Sequence, residues 1–166
     1  MEKLKNHACK DSVRVFRPAD ADETTVCWKL AMENVETPTA LIFSRQGIAK
    51  LPEGNDYEQA AKGAYIVAGS DENPDVILVA SGSEVSTLEA GCEALRADGI
   101  KVRVVSASSE GLFRGQSKEY QESVLSKNAK IFGMIAGLSV TVQGLVGANG
   151  KVWRCLLHIS DAADDM

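Results

Sequence analysis

Apolar strand-like segments alternate with helical segments in the second half of the chain, and this alternation constrains the fold more than any other feature. DVILVAS (75–81) and KVRVVS (101–106) are mostly apolar, as is typical of parallel strands covered on both faces. Residues 84–97, between them, carry an apolar stripe at helical spacing, formed by Val85, Leu88, Cys92 and Leu95. The pattern predicts an α/β fold: a three-layer, open, mainly parallel sheet with helices on both faces.

Further segments extend this sheet towards the C-terminus. We predict a helix over about 117–126, a strand over 129–134 (AKIFGM), and a last strand after the turn at Asn149-Gly150. Residues 137–146 (GLSVTVQGLV) are ambiguous, because their alternation favours a strand while their position in the β–α series favours a helical turn.

A separate strand–helix–strand unit is predicted within residues 12–46. SVRVF predicts a strand, and Asp20 with Glu23 three residues later forms a capping-box pattern that opens a helix running to about Asn34. TPTALIFS then predicts a second strand, with Ala40–Ser44 buried. Two parallel strands and one helix cannot close a core, so this partial βαβ unit requires cover from the second unit or from further chain.

Charge and composition argue against several classes of partner. The 166 residues carry a net charge of −5 and no basic patch, which argues against nucleic acid and anionic membranes. The N-terminus lacks the apolar region of a secretory signal, and Gly, Ser, Thr and Gln interrupt the apolar run at 131–147, so no membrane span is predicted. We therefore predict a cytoplasmic protein whose four scattered cysteines are reduced thiols: Cys9, Cys27, Cys92 and Cys155.

Most polar motifs lack the partners that catalysis or metal binding needs. His7 and His158 have no carboxylate or cysteine at metal-ligand spacing, and Cys155 has no evident base. The loop ASGSEVST has two interpretations: a phosphate cradle, or an ordinary turn in which Ser81 and Glu84 form a capping box. The capping box is favoured, because the Glu84 carboxylate would repel an anion.

Arg45 is the strongest candidate for ligand binding. It directly follows a predicted strand, and the carboxyl ends of parallel strands face the crevice where α/β folds bind ligands. A guanidinium there suits a phosphate or a carboxylate, although a salt bridge to a nearby acid is an equal alternative. Arg114, in the loop SEGLFRGQS, is instead predicted to be solvated.

Two stretches resemble a known family. VRVFRPADADETTVCWKLAMEN, followed by TPTALIFSRQ, resembles the end of the pyrimidine-binding domain of transketolases. AAKGAYIVAGSDENPDVILVASGSEVSTLEAGCEALRADGIKVRVVS resembles the start of the transketolase C-terminal domain, in its K-G-x-Y, G-S-E-V and I-K-V-R-V-V-S motifs. The resemblance extends over residues 12–153, with the motifs in the family's order and spacing.

The resemblance implies a division of the chain into three parts. Residues 1–46 would be a remnant of the transketolase pyrimidine-binding domain, residues 47–62 a linker, and residues 63–166 a transketolase C-terminal-like domain. The tail after Trp153, RCLLHISDAADDM, departs from the family pattern.

The resemblance also implies a function for the intact protein. Transketolases transfer a two-carbon ketol unit between sugar phosphates, use thiamine diphosphate with a divalent metal (Mg or Ca), and work as homodimers. In the family the arginine of S-R-Q helps to hold the substrate phosphate. That role falls on Arg45 here, with Ser44 and Gln46 shaping the end of the strand.

Several features of the family have no counterpart in this sequence. They are the G-D-G metal motif, the Glu that activates the aminopyrimidine ring of the cofactor, and the His of G-P-T-H. We therefore expect the chain alone to be inactive, with no catalytic residue and no bound cofactor. The alternatives are a free-standing interaction or regulatory module and a relative of the 2-oxoacid dehydrogenase beta subunits. S-R-Q and R-P-A-D argue against the second alternative, because they resemble the enzymes that use sugar phosphates.

Overall fold

Parallel strand pairing organises the N-terminal unit of the computed structural model, which describes residues 13–52, 56–69, 73–137, 139–148 and 150–154. Strands β1 (Arg14–Phe16) and β2 (Thr39–Leu41) form a two-stranded parallel sheet, and helix α1 (Ala21–Glu33) connects them. The predicted order of strand, helix and strand is confirmed, with shorter strands than the sequence pattern suggested.

Five strands form the second sheet. The elements from here to the C-terminus are a 3₁₀ helix (Tyr57–Lys62), β3 (Tyr65–Ala68), β4 (Val76–Ala80), α2 (Glu84–Ala97), β5 (Val102–Ser106), α3 (Glu110–Arg114), α4 (Lys118–Val124), β6 (Lys130–Ile135), α5 (Val140–Val146) and β7 (Lys151–Arg154). The strand order is β3-β5-β4-β6-β7. β3 is antiparallel to β5, and the other neighbouring pairs are parallel. The mainly parallel α/β fold is confirmed, and the ambiguous segment at 137–146 contributes a helix, α5.

Alternate residues of each central strand face opposite sides of this sheet. On β4, Leu78 belongs to the apolar cluster that contains α2, whereas Val79 belongs to the cluster that contains α3, α4 and α5. The stripe predicted for α2 lies in the first cluster. Ala19, from the N-terminal unit, and Leu51, from the segment that follows it, are buried in this same cluster. The second unit thus supplies part of the cover that the two-stranded sheet requires.

The prediction of a buried strand over Ala40–Ser44 is wrong. β2 ends at Leu41, its three residues are half-buried, and Phe43 and Ser44 are exposed. Within the described residues β2 has β1 as its one strand neighbour. A parallel strand is buried when neighbours and helices cover it on both sides, and this short two-stranded sheet does not provide that cover.

Of the two predicted capping boxes, one forms and one does not. Glu23 N donates to Asp20 Oδ1 at 2.9 Å, which confirms the cap of α1. The box predicted from Ser81 and Glu84 is wrong: Ser83 is the N-cap residue of α2, and its side chain makes no capping hydrogen bond. The Glu84 carboxylate instead accepts from the Arg17 guanidinium and from Ala136 N.

The segment predicted as a linker is partly structured. Leu51 is buried at 2% exposure, and its backbone N–H donates to Asp20 Oδ2 at 3.1 Å. The 3₁₀ helix follows, and its end at Gly63 has a positive φ of 90° that favours glycine. This segment therefore packs on the fold rather than crossing the surface freely. The domain boundaries at 46 and 62 stay a prediction.

No helix in the described ranges combines the length and apolar character that crossing a membrane requires.

Gly133, in β6, marks a close approach between the sheet and α5. A Cβ at this position would lie 2.6 Å from Val142 Cγ1 and 2.8 Å from Val146 Cγ2. We expect Gly133→Ala to lower the free energy of unfolding by about 1–2 kcal/mol, because the two stiff valines must move. Gly91→Ala is the matched control: nothing lies within 4 Å of its Cβ, and alanine favours the helix by about 0.5–1 kcal/mol. Urea denaturation measures the free energy of unfolding of both variants, and changes of the same sign in the two would contradict this account of the packing.

Candidate functional site

Arg45 lies on the exposed segment that follows β2. It is four residues beyond Leu41, the last residue of the strand, and it is exposed. Gln46 N donates to Ser44 Oγ at 3.1 Å, which forms a local turn around Arg45, beyond the end of the strand. Within the described part of the chain no ion pair includes Arg45. A salt bridge to a nearby acid, the alternative left open by the sequence, is not formed among these residues.

Two contacts fix the path of the chain between β2 and Arg45. Ile42 N donates to Phe16 O at 2.9 Å, which continues the pairing of β2 with β1 by one residue. The ring of Phe43 stacks on Trp28 of α1, with centroids 6.5 Å apart and planes inclined by 27°. Arg45 therefore stands on a segment that is tied both to the small sheet and to its helix.

A second candidate region lies at the carboxyl edge of the five-stranded sheet. The strand order reverses at β4, which has β5 on one side and β6 on the other. Ligands of open α/β sheets bind beside the carboxyl ends of the strands at such a point. Here Arg17 occupies the position: its Nη2 donates to both carboxylate oxygens of Glu84, at 2.9 and 2.8 Å, and its Nη1 donates to Ser81 Oγ at 3.4 Å.

Two backbone hydrogen bonds also hold Arg17 in place. Arg17 N donates to Ser108 O at 2.8 Å, and Gly82 N donates to Arg17 O at 3.1 Å. Glu84 Oε1 also accepts from Ala136 N, beyond β6, at 2.7 Å. Gly82 has a φ of 66°, and a Cβ there would lie 2.9 Å from Arg17 Nε, so glycine is needed for the guanidinium to fit.

The crevice therefore accommodates this chain's own side chain rather than a substrate. The cavity that remains beside Arg17 and Ile42 measures about 30 Å³, which is room for water molecules but not for a sugar phosphate. Because Gly82 N already donates to Arg17, the loop ASGSEVST does not form the phosphate cradle considered from the sequence.

The N-terminal unit makes a second polar contact with the sheet through Glu23. This side chain is fully buried, and Ala19 N donates to its Oε2 at 2.8 Å. Burial raises the pKa of the Glu23 carboxyl, and the Asp20 charge adds to the rise. The hydroxyls of Tyr65 and Ser106 stand near the carboxyl and oppose the rise, yet neither hydroxyl reaches hydrogen-bonding geometry with a described residue.

The same surroundings make Cys27 unreactive. Burial, together with the nearby Glu23, raises the pKa of the Cys27 thiol to about 12, so it carries almost no thiolate at neutral pH. Cys27 and Cys92 are free and buried, as the sequence predicted.

Other residues named from the sequence play no part in these regions. Arg114 lies in α3 rather than in the predicted loop; it is exposed, and it pairs with Glu110, Nη2 to Oε1 at 2.6 Å. Among the residues that the structure describes, no group of three or more His, Cys, Asp or Glu could hold a metal ion. Four of the named side chains lie outside the described residues: His7, Cys9, Cys155 and His158.

Sequence reasoning missed the pair of Arg17 and Glu84. A detectable signal existed, because Arg17 follows β1 just as Arg45 follows the predicted second strand. What the sequence could not show is that a carboxylate 67 residues further on would reach Arg17.

Comparison with known proteins places the chain in a family. Residues 63–155 match the family model described as Transketolase-like TK C-terminal domain. Transketolase 2 of Vibrio parahaemolyticus (serotype O3:K6) is 38% identical over 154 residues, which cover 92% of this chain and 23% of that protein. The transketolase of Staphylococcus aureus (strain MW2) is 43% identical over 127 residues, which cover 75% of this chain and 19% of that protein.

Solved structures agree with the sequence matches. Pichia stipitis transketolase in complex with sedoheptulose-7-phosphate superimposes with a TM-score of 0.77 at 35% identity, over 86% of this chain and 20% of that chain. Campylobacter jejuni transketolase gives a TM-score of 0.77 at 31% identity, over 93% and 23% of the two chains. The chain spans about a fifth of the length of these relatives. It therefore belongs to the transketolase family, and its five-stranded sheet lies in a Transketolase-like TK C-terminal domain.

Proposed function

We propose that this chain serves as the C-terminal portion of a thiamine-diphosphate-dependent transketolase, which transfers a two-carbon ketol unit between sugar phosphates. Within that enzyme, Arg45 binds the phosphate of the substrate. The observation that carries the proposal is an exposed guanidinium beyond the carboxyl end of a parallel strand, without a carboxylate partner among the described residues. A relative of the same family was solved with sedoheptulose-7-phosphate.

The chemistry of Arg45 suits an anion with several oxygens. A guanidinium is planar, stays charged at every physiological pH, and can donate two parallel hydrogen bonds to a phosphate. The turn between Ser44 and Gln46 and the stacked ring of Phe43 give the segment a defined path, so less order has to be created on binding.

The proposal includes the organisation of the whole protein. Residues 1–46 belong to the pyrimidine-binding domain, residues 47–62 connect, and residues 63–166 form the C-terminal domain of a cytoplasmic homodimer. The two-stranded sheet supports this division, because such a sheet needs further strands to be covered.

The described residues offer no cluster of ligands for the divalent metal of the family. They contain no group of three or more His, Cys, Asp or Glu that could hold a divalent metal. Thiamine diphosphate and its metal therefore belong to the proposal for a complete transketolase, and no catalytic step is assigned to the residues described here. That the chain alone is inactive stays a prediction.

The matches do not favour the two alternatives considered from the sequence. The relatives compared above are transketolases in sequence and in structure, whereas a relative of the 2-oxoacid dehydrogenase beta subunits would have been expected to resemble those proteins.

A titration tests the phosphate contact in the chain itself. We expect fructose 6-phosphate to shift the backbone ¹⁵N–¹H resonances of residues 44–46, with a Kd on the order of 10 mM for one charge-assisted contact. Arg45→Ala removes these shifts, while Arg114→Ala, at an exposed arginine that is already paired, leaves them unchanged. Shifts that persist in Arg45→Ala, or that are equally strong with unphosphorylated fructose, would contradict the proposal.

A further inference from the structure

We infer that Glu84 of the C-terminal domain is a positioning residue for Arg45. It holds Arg17, Arg17 fixes the end of β1, and β1 fixes the segment that leads from β2 to Arg45. The inference rests on the proposed phosphate role of Arg45, and it gives the C-terminal domain a part in substrate binding that its own crevice does not provide.

The first step is the ion pair, which joins the two units. The side chain of Glu84 is 8% exposed and that of Arg17 is 24% exposed, so the pair is largely shielded from water. Glu84 is itself fixed, because its Oε1 accepts from Ala136 N and its Oε2 from Ser83 Oγ. The carboxylate is therefore held in place before Arg17 binds to it, as a positioning group must be.

The second step leads from Arg17 to β2. Arg17 is the residue after Phe16, the last residue of β1, and Phe16 is in register with Leu41 of β2. Ile42 N donates to Phe16 O at 2.9 Å, and Ile42 lines the same small cavity as Arg17. A displacement of Arg17 is thus passed on directly to Ile42.

The third step leads from Ile42 to Arg45, three residues later. The stacking of Phe43 on Trp28 ties this stretch to α1, which belongs to the same N-terminal unit. That contact orders the segment within its unit but does not place it against the C-terminal domain. Glu84 contributes that placement through the side chain of Arg17, alongside the backbone hydrogen bonds of Arg17 with Ser108 and Gly82.

The test compares two carboxylate variants of the full chain. Glu84→Gln removes the charge while its amide oxygen can still accept from Ala136 N. Glu122→Gln is the control, since Glu122 also pairs with a cation, Lys127, but does not line the cavity beside Arg17 and Ile42. We expect lower ¹⁵N–¹H heteronuclear NOE values at residues 42–46 in Glu84→Gln, and wild-type values in Glu122→Gln. Fructose 6-phosphate is expected to bind about threefold more weakly to Glu84→Gln.

A conservative variant separates positioning from general stability. Arg17→Lys keeps the cation but not the geometry of the guanidinium, and its NOE values should fall between those of wild type and Glu84→Gln. Wild-type NOE values at residues 42–46 in Glu84→Gln would overturn the inference, and so would an equal loss of order at residues 102–106 of β5. If fructose 6-phosphate binds neither wild type nor variant while the NOE values respond as expected, the phosphate role fails and the positional link is supported.

Discussion

Replacing Arg17 with alanine is expected to lower the free energy of unfolding by about 3–4 kcal/mol, the largest loss that we predict for a single side chain. The substitution leaves the Glu84 carboxylate without its cation in a site where it is 8% exposed. Removing one partner of a buried ion pair destabilises the fold by this amount, because the remaining carboxylate keeps only its neutral donors, Ala136 N and Ser83 Oγ, and has neither bulk water nor a cation.

Urea denaturation of Arg17→Ala measures the loss. Lys127→Ala is the control, because Lys127 pairs with Glu122 on the exposed surface and such pairs contribute at most about 1 kcal/mol. A double variant, Arg17→Met with Glu84→Leu, should recover most of the stability, since neither charge then remains in the site. If Arg17→Ala lowers the free energy of unfolding no more than Lys127→Ala does, the ion pair of Arg17 and Glu84 does not join the two units.

In the wild-type chain we expect the free energy of unfolding to fall as the pH rises, by up to about 1.4 kcal/mol per pH unit. Glu23→Gln is expected to abolish this fall. Burial raises the pKa of Glu23 above its ordinary value of 4.5 in the folded chain. Below pH 4.5 the carboxyl is protonated in both states, and its contribution to stability is fully present. As the pH rises towards the folded pKa, the unfolded chain releases the proton and the folded chain retains it, so stability is lost.

Among the described residues, no cation near Glu23 lowers the pKa of its carboxyl. The titratable groups that bear on it are Asp20 and Cys27 on its own segment and Tyr65 on β3, none of which is positively charged. In the Glu23→Gln variant the side-chain amide oxygen can still accept from Ala19 N, so the variant changes charge rather than packing. We expect Glu23→Gln to gain stability relative to wild type from about pH 5 upwards.

Denaturation curves at a series of pH values test this expectation. The difference in unfolding free energy between Glu23→Gln and wild type should grow with pH until the folded pKa is passed. Thr25→Ala, at an exposed position of the same helix and without a titrating group, serves as the control and should give a constant difference. A constant difference for Glu23→Gln as well would mean that its carboxyl is not held neutral at the contact between the units.

Local patterns predicted the five-stranded sheet well, because the information lay in contiguous segments. A stripe such as Val85, Leu88 and Cys92 needs one face of one helix to be buried, and a mostly apolar strand needs cover on both faces. The cap formed by Asp20 and Glu23 was equally local. None of these depends on residues far along the chain.

The errors arose where distant residues decide the outcome. Ala40–Ser44 have strand composition, but their burial depends on neighbouring strands that the described residues do not supply. Ser81 and Glu84 have capping-box spacing, but Ser83 is the N-cap residue of α2, and the Glu84 carboxylate pairs with Arg17, 67 residues earlier in the chain. Arg45 was placed directly after a strand, whereas it lies four residues beyond the end of β2. What holds its segment was not predicted either, because the support crosses from one unit to the other.

The phosphate role of Arg45 is the central claim, and a hybrid enzyme tests it most directly. Residues 14–154 would replace the matching segment of the Vibrio parahaemolyticus transketolase 2, and kcat/KM would be measured with fructose 6-phosphate and with unphosphorylated fructose as ketol donors. We predict that Arg45→Ala lowers kcat/KM for the phosphorylated donor by about 10- to 100-fold and leaves that for fructose unchanged. An equal loss for both donors, or no loss for either, would contradict the account.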